Sequence, residues 1–586
     1  MRFPTLPVRP RDAQTLDVFG GYNHNIRIQE NEFFDMTNLT SDQAPVLAPR
    51  RQRGLYGKDV NVQGMITKDS LCYVDGRYFV INKYRIDMGL STEEDKCPKQ
   101  LISMGAYVII MPDKKYINTA DLNDYGNIEA EFKVEENMVQ YQPCKLDGTE
   151  YTPAYIQQEA PEEAANMDLW MDTSSNPHSL KQYSSAMDTW VGIETTYVKI
   201  KSPGIGKPFR QYDGVTISGL AKFDNDQISK LEGAAILYGV EEDAVIVIGL
   251  LDSQFMTFNH PLTISRKMPA MDYIIENDNR LWGCRYGLNN AGEVVNELYS
   301  CKLGDFRNWN CFMGISTDSY YVSLGSDGPF TGAITHAGYP LFFKENCLHK
   351  VYGQIPANFQ VQTTACRGVQ KGCDRSLAIV NEILYYKARH AVCAYDGSLP
   401  TEISGALGEE LYSNATAAAH SNKYYISMCR NTTGERVLFV YDTAKGMWHK
   451  EDGVNAKLFC SCRDELYCAT EDGRIIAMLG SGEQYEGPIN WMFETGILGG
   501  SLPQKKYLVK LNIRLVLEPG SHLKLMAQYD SIGPWVDLGH LTGTDLRSFT
   551  IPVKPRRCDH LRLRVEGVGH GMIFSITKTY THGSDV

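Results

Sequence analysis

Cys460, Cys462 and Cys468 are a conceivable set of soft-metal ligands in this 586-residue chain. Alternation along a strand would put Cys460 and Cys462 on one face, with Cys468 close by on a hairpin partner, which is the start of a soft-metal site. A fourth ligand is missing at ordinary spacing, so interior thiols are the expected outcome. Asp-Asn-Asp at 224–226 opens like a calcium loop, yet Ile228 and Ser229 stand where an oxygen donor and a glycine are needed. The pairs Glu241-Glu242 and Glu409-Glu410 supply carboxylates of the kind glycoside hydrolysis uses, but neighbours on a strand point apart, so each reads as a loop charge. The segment 204–207 is too short to cradle a phosphate and lacks a strand-to-helix context. The 13 histidines are scattered and form no His-Glu-x-x-His pair, and no Gly-x-Ser-x-Gly elbow occurs. No catalytic, cofactor-binding or metal-ligating residue is assigned, and the expectation is a chain that is not an enzyme.

The elements that would position any such group are short strands. An alternating apolar strand, a polar turn and a second strand rich in Tyr, Val and Ile recur, with turns centred near Asp69, Gly105, Asp278, Ala337, Asn381, Ser421 and Arg463. The last four lie 44, 40 and 42 residues apart. An all-strand period of that size predicts a β-propeller, because a single blade cannot bury its faces alone. Between Gly105 and Asp278 the repeat is interrupted, which predicts an insertion. The resulting division is an extended arm at 1–60 with a possible closing strand, first blades at 61–130, an inserted small β-barrel or sandwich at 131–258, further blades at 259–488, and a C-terminal β-sandwich at 489–586. Six to eight blades are compatible with the repeats. Residues 161–171 are the best helix candidate.

Composition fits this all-β class: 11% aromatic residues, led by 34 Tyr, and 22% charged. The formal charge of −12 argues against a protein gripping nucleic acid on a continuous basic surface. It suits a wall along which DNA passes, since each neutralised phosphate adds a sticking point. Fifteen cysteines without framework spacing predict free thiols in a reducing compartment. The start lacks the apolar core of a signal peptide and no apolar run approaches a membrane span, so a protein folded in a cytoplasm without a lipid anchor is expected.

Arg50, Arg51 and Arg53 form a local basic cluster that could contact a partner or DNA. An ordinary solvated turn is the competing reading. The segments 19–23 (Phe-Gly-Gly-Tyr-Asn), 32–39 (Glu-Phe-Phe-Asp-Met-Thr-Asn-Leu) and 45–50 (Pro-Val-Leu-Ala-Pro-Arg) resemble the opening of phage virion propellers, and 555–564 with 583–586 is similar to their close. These belong to the tail-nozzle or packaged-DNA stabilisation group. The resemblance implies a homo-oligomeric ring, commonly a hexamer, in the virion tail below portal and adaptor, which retains the genome and conducts it during ejection. It carries over no catalytic residue.

Two other readings stay open. One is a glycan-binding or glycan-hydrolysing propeller, at a tail tip or secreted, for which Trp282, Trp309 and Trp448 would form an aromatic platform. The single segment 529–535 (Tyr-Asp-Ser-Ile-Gly-Pro-Trp) also resembles a sialidase Asp-box turn, without its leading Ser. The other is a kelch-type interaction module.

Overall fold

The computed structural model describes residues 11–135, 137–221, 226–257, 261–289, 291–499, 505–553 and 556–582. The chain is all-β: a β-propeller with an inserted β-sandwich and a C-terminal β-sandwich. Among the described residues the only α-helix is Asp226–Ser229. The predicted helix at 161–171 is corrected: its first part is turn and bend, and its end enters the strand Leu169–Asp172, paired with Ser179–Ser184. No described helix is long and apolar enough to cross a membrane.

Six four-stranded sheets and one five-stranded sheet carry the repeat, each with its strands hydrogen-bonded in sequence order over the first three. All seven turns read from the sequence are the links between first and second strands of these sheets. At Asp278-Asn279 and Asn381-Glu382 both turn residues have positive φ (51° and 57°, 49° and 65°), the geometry that matches the twist of a two-residue hairpin. The apolar runs without alternation are second strands, such as Tyr107–Met111 and Ile383–Lys387, because both of their faces are covered. Outer strands such as Tyr84–Asp87 are largely exposed.

Two compact units divide the chain. The unit of Gln100–Pro329 and Val351–Gln362 holds the sheets of 100–127 and 273–323, packed through Ile109, Ile274, Leu281 and Trp309. It also holds the insertion, in which a four-stranded and a five-stranded sheet enclose Tyr141, Val198, Ile217, Val245 and Ile264. A further small sheet spans 155–192.

In the other unit, successive blades are tied turn to turn. His336 Nε2 donates to the Glu382 carbonyl (2.6 Å), and Asn381 Nδ2 donates to Asn422 Oδ1 (3.2 Å). His420 Nδ1 meets Ser461 Oγ (3.0 Å), and Arg463 Nη2 donates to the Asp69 carbonyl (2.7 Å). The last blade, 456–477, is completed by an N-terminal strand, Gly54–Lys58, antiparallel to Arg474–Ala477. The arm is therefore part of its own fold over its described length: Arg11–Leu16 and Phe33–Thr37 are strands of the C-terminal sandwich. Residues 1–10 of the predicted arm lie outside the described residues.

That sandwich is one hydrogen-bonded sheet folded over. Its long strand Lys506–Tyr529 pairs first with Gly571–His582, then with Leu561–Val568, and with Val536–Pro552 along the other side. Six residues of the long strand, Leu517 to His522, span what three residues, Thr544 to Thr542, span opposite, and this bulge at Pro519-Gly520 turns the corner. Aromatic contacts seal arm, blade and sandwich into one core: Phe33 on Phe493 (4.7 Å between centroids) and Tyr22 on Phe439 (5.6 Å).

Gly21 sits where the arm crosses the outer strand Met447–Glu451. A Cβ there would lie 2.4 Å from the Trp448 carbonyl oxygen, the atom that accepts the Tyr22 N–H at 2.6 Å. Gly21→Ala should therefore destabilise the unit by about 2 kcal/mol, the usual scale of overpacking. The readout is the unfolding midpoint against Gly487→Ala, whose Cβ meets nothing within 4 Å and which should leave it unchanged.

Candidate functional site

The predicted arginine cluster is the centre of an ionic clamp. Arg50 Nη1 donates to Glu486 Oε2 (2.7 Å), Nη2 to Asp452 Oδ1 (2.9 Å) and Nε to Asn38 Oδ1 (2.9 Å). Arg53 Nη2 reaches Glu451 Oε2 (2.8 Å) and Nη1 reaches Asp452 Oδ1 (2.9 Å). Arg50 and Arg53 are only 5% and 3% exposed. As external contacts they are corrected, because three carboxylates brought from over 390 residues away engage them. Arg51 is the exposed member.

Burial opposes charge at both ends of the clamp and is outweighed. It raises the Asp452 carboxyl, but Arg53 and Arg50 hold it below its ordinary value. It lowers the Arg50 guanidinium, but the Glu486 hydrogen bond and the neighbouring carboxylates lift it well above normal.

Asn38 organises the clamp and was not singled out by the sequence reading. It adopts φ of 60°, a left-handed conformation Asn tolerates better than most residues. Its N–H donates to the Lys450 carbonyl, its side chain to the Asn490 carbonyl, and its Oδ1 accepts from both Arg50 and Asp452 N. Beside it Ser41 Oγ donates to Asp442 (2.5 Å), Lys423 binds Asp42 (2.5 Å) and Lys450 pairs with Asp35. The only available signal was the Asp35 to Asn38 segment itself.

Two hollows flank the clamp. One of about 300 Å³ is lined by Thr40, Asp42, Arg51, His420, Lys423, Tyr425, Glu451 and Asp464. The other, about 460 Å³, lies against the sandwich between Arg51, Gln52, Ile489, Glu518, Ser521 and His570. Arg50 and Arg51 border both. Within the first, burial raises the Asp42 carboxyl, but the Lys423 hydrogen bond and charge outweigh it and keep it ionised, the opposite of a general acid's need. Glu451 is held by Arg53. Burial pushes the His420 imidazole down. The hollow thus presents fixed charges of both signs to a polar ligand.

Other candidates disperse. Cys460 and Cys462 face the core shared with the 62–87 blade, while Cys468 faces the opposite core with Leu438 and Ile476. Glu241 pairs with Lys199 and Glu242 with Lys207, while Glu410 accepts from Thr432 Oγ1. Trp282, Trp309 and Trp448 are 2%, 5% and 2% exposed, so they offer no open platform. Of the calcium-like segment only Asp226 is described, as the first helical residue. The segments 583–586 and 554–555 lie outside the described residues.

No family model and no curated protein matches the chain. Among solved structures it is similar to an exo-β-1,3-galactanase of Phanerochaete chrysosporium, at 7% identity and TM-score 0.21, over 52% of this chain and 94% of that one. PorZ, a bacterial surface component of the type-IX secretion system of Porphyromonas gingivalis, matches at 11% identity and TM-score 0.25, over 88% and 77%. A Trypanosoma rangeli sialidase mutant with trans-sialidase activity matches at 8% and 0.20, over 97% and 95%. Glycoside hydrolases thus stand among the structures similar to this chain, and the expectation that it is not an enzyme is corrected on that finding. At these TM-scores the likeness assigns no activity or substrate.

Proposed function

We propose that the chain is a structural subunit of a phage tail, a nozzle or hub component that assembles with copies of itself and with portal-side proteins to retain and conduct DNA. The observation that supports this reading is the use made of the segments resembling virion propellers. Tyr22, Phe33, Asp35, Asn38 and Arg50 all come from them, and together they join the arm, the 412–451 blade and the sandwich into one block. A scaffold that bears the load of packaged DNA needs such cross-ties, and the formal net charge of −12 suits a passage for a polyanion. Electron microscopy of the purified full chain, with immunogold labelling of phage particles from a producing host, tests it. Rings of copies and label at the tail are expected. A single disc at every concentration, with no label on particles, overturns it.

A second reading, a propeller that binds or hydrolyses glycans, is favoured by the charged hollow beside Asp42, Glu451 and Asp464. Retention on host-wall glycans, or release of reducing ends from them, lost in Asp464→Asn, would replace the first reading with this one.

A further inference from the structure

We propose that the C-terminal sandwich carries an esterase centre, Ser531-His560-Asp559, that hydrolyses short-chain carboxylic esters. It goes beyond both readings above and uses no residue of the clamp or of its two hollows. Ser531 Oγ lies 2.9 Å from His560 Nε2, and His560 Nδ1 lies 3.0 Å from Asp559 Oδ2. That is the connectivity of a Ser-His-Asp triad, with the hydroxyl on one ring nitrogen and the carboxylate on the other. The carboxylate accepts the Nδ1–H and so selects the tautomer whose Nε2 lone pair faces the hydroxyl. In return the His560 hydrogen bond holds the Asp559 carboxyl below its ordinary value, which keeps it ionised at neutral pH.

The end of a strand ladder brings the three groups together. The long strand stops at Tyr529, opposite Leu561, the first residue of Leu561–Val568. The residues just past the one and just before the other are therefore neighbours. Asp530 locks the two turns: its Oδ1 accepts the Asp559 N–H (2.7 Å) and the His560 N–H (3.4 Å), and its own N–H donates to the His560 carbonyl (3.0 Å). Asp530 and Ser531 both have positive φ, 55° and 53°. Strain of that kind in non-glycine residues gathers where a side chain must be held in a set direction.

The surroundings select the substrate. Ser531 is exposed, and the His560 side chain keeps 20% of its surface, so both are open to a ligand. The Ser531 and Gly533 N–H groups engage no partner among the described residues and are free to donate to an oxyanion. A Cβ at Gly533 would meet nothing within 4 Å, which leaves room for an incoming carbonyl. Ile532, 76% exposed, and the half-buried Trp535 give apolar surface for a short acyl chain. An open centre with one proton donor suffices to expel an alcohol; an amide, with its poorer leaving group, asks for more.

The step balances with water as co-reactant. Ser531 Oγ adds to the ester carbonyl carbon while its proton passes to His560 Nε2. The adduct expels the alcohol, which takes that proton and leaves the acyl group on Oγ. Water then adds with His560 as base, the Oγ–acyl bond breaks, and Oγ recovers its proton as the acid departs.

The test uses the full chain with p-nitrophenyl acetate as substrate and a fluorophosphonate as covalent probe, and circular dichroism checks folding. Peptide mapping should place the probe on Ser531. Ser531→Ala should abolish that adduct and lower kcat/KM at least about 100-fold, and His560→Gln should match the loss in rate. Asp559→Asn should cost at least about tenfold and alter the pH profile, because it accepts no proton-linked charge from the imidazole. A folded Ser531→Ala that hydrolyses the ester as fast as the unaltered chain overturns the proposal and leaves the three side chains a lock between turns. An unaltered chain that takes up no probe at Ser531 overturns it too, without recourse to any variant. Ring assembly bears on neither outcome.

Discussion

Replacing Arg50 by alanine lowers the unfolding free energy by about 3 kcal/mol, the lower part of the range for removing one member of a buried ion pair. The cost arises because Glu486 and Asp452 remain where they are, without the guanidinium that compensates their partial burial. Asp452 is half-exposed, so water recovers part of the loss. Arg51→Ala, at an exposed position in the same run, should stay within about 0.5 kcal/mol of the original. Denaturant unfolding measures both, and limited proteolysis of Arg50→Ala should release the first 50 or so residues sooner. Equal effects of the two substitutions would remove the clamp from the account.

Acidification from pH 7.5 to 5 produces the second large effect. His449 and His349 are 3% and 0% exposed, and burial, with Lys423 and Lys344 nearby, pushes their imidazoles down to about 3 and about 4. Among the described residues both ring nitrogens of His449 lack a hydrogen-bond partner, whereas His349 Nδ1 meets Thr363 Oγ1 at 2.9 Å. The unfolded chain takes up a proton on each ring near pH 6.5, which the folded chain refuses until much lower pH. Stability is thus full above that value and falls as pH drops through 6 and 5. Each histidine contributes a loss of about 2 kcal/mol at pH 5 by proton linkage. The melting temperature should fall across this range, and His449→Leu should flatten the slope by about one proton. A melting temperature independent of pH between 7.5 and 5 would contradict the burial of both rings. Asp42 and Asp452 act lower: their depressed carboxyls hold stability above about pH 4 that is lost on further acidification.

The repeat was legible because its cause is local. A two-residue turn between apolar strands needs particular residues at fixed offsets, and all seven were read in place, from Asp69 to Arg463. The insertion was legible as a gap in that rhythm. The clamp was not, because a run of arginines looks the same whether water or Glu451, Asp452 and Glu486 face it, and those acids are brought in by tertiary structure alone. At the corner of the sandwich, a Pro-Gly pair between apolar runs, Pro519-Gly520, has the sequence look of a turn separating two strands. In the structure the backbone stays paired on both flanks, so the break is a bulge within one strand. The helix expected at 161–171 fails because its apolar end, Trp170 and Met171, is buried in a sheet instead.

The antiparallel partner of Arg11 is Thr581, and the strand that completes the last blade comes from residues 54–58. During translation, then, segments 11–16 and 54–58 leave the ribosome more than 400 residues ahead of their mates. The blade cannot close until residue 477 has emerged, and Arg11–Leu16 has no strand partner until Gly571–His582 follows. Such long-range closure slows folding and leaves apolar strands uncovered meanwhile. A nascent polypeptide stalled before residue 571 therefore keeps the long strand Lys506–Tyr529 without one of its mates, and is a client for chaperones until that segment arrives.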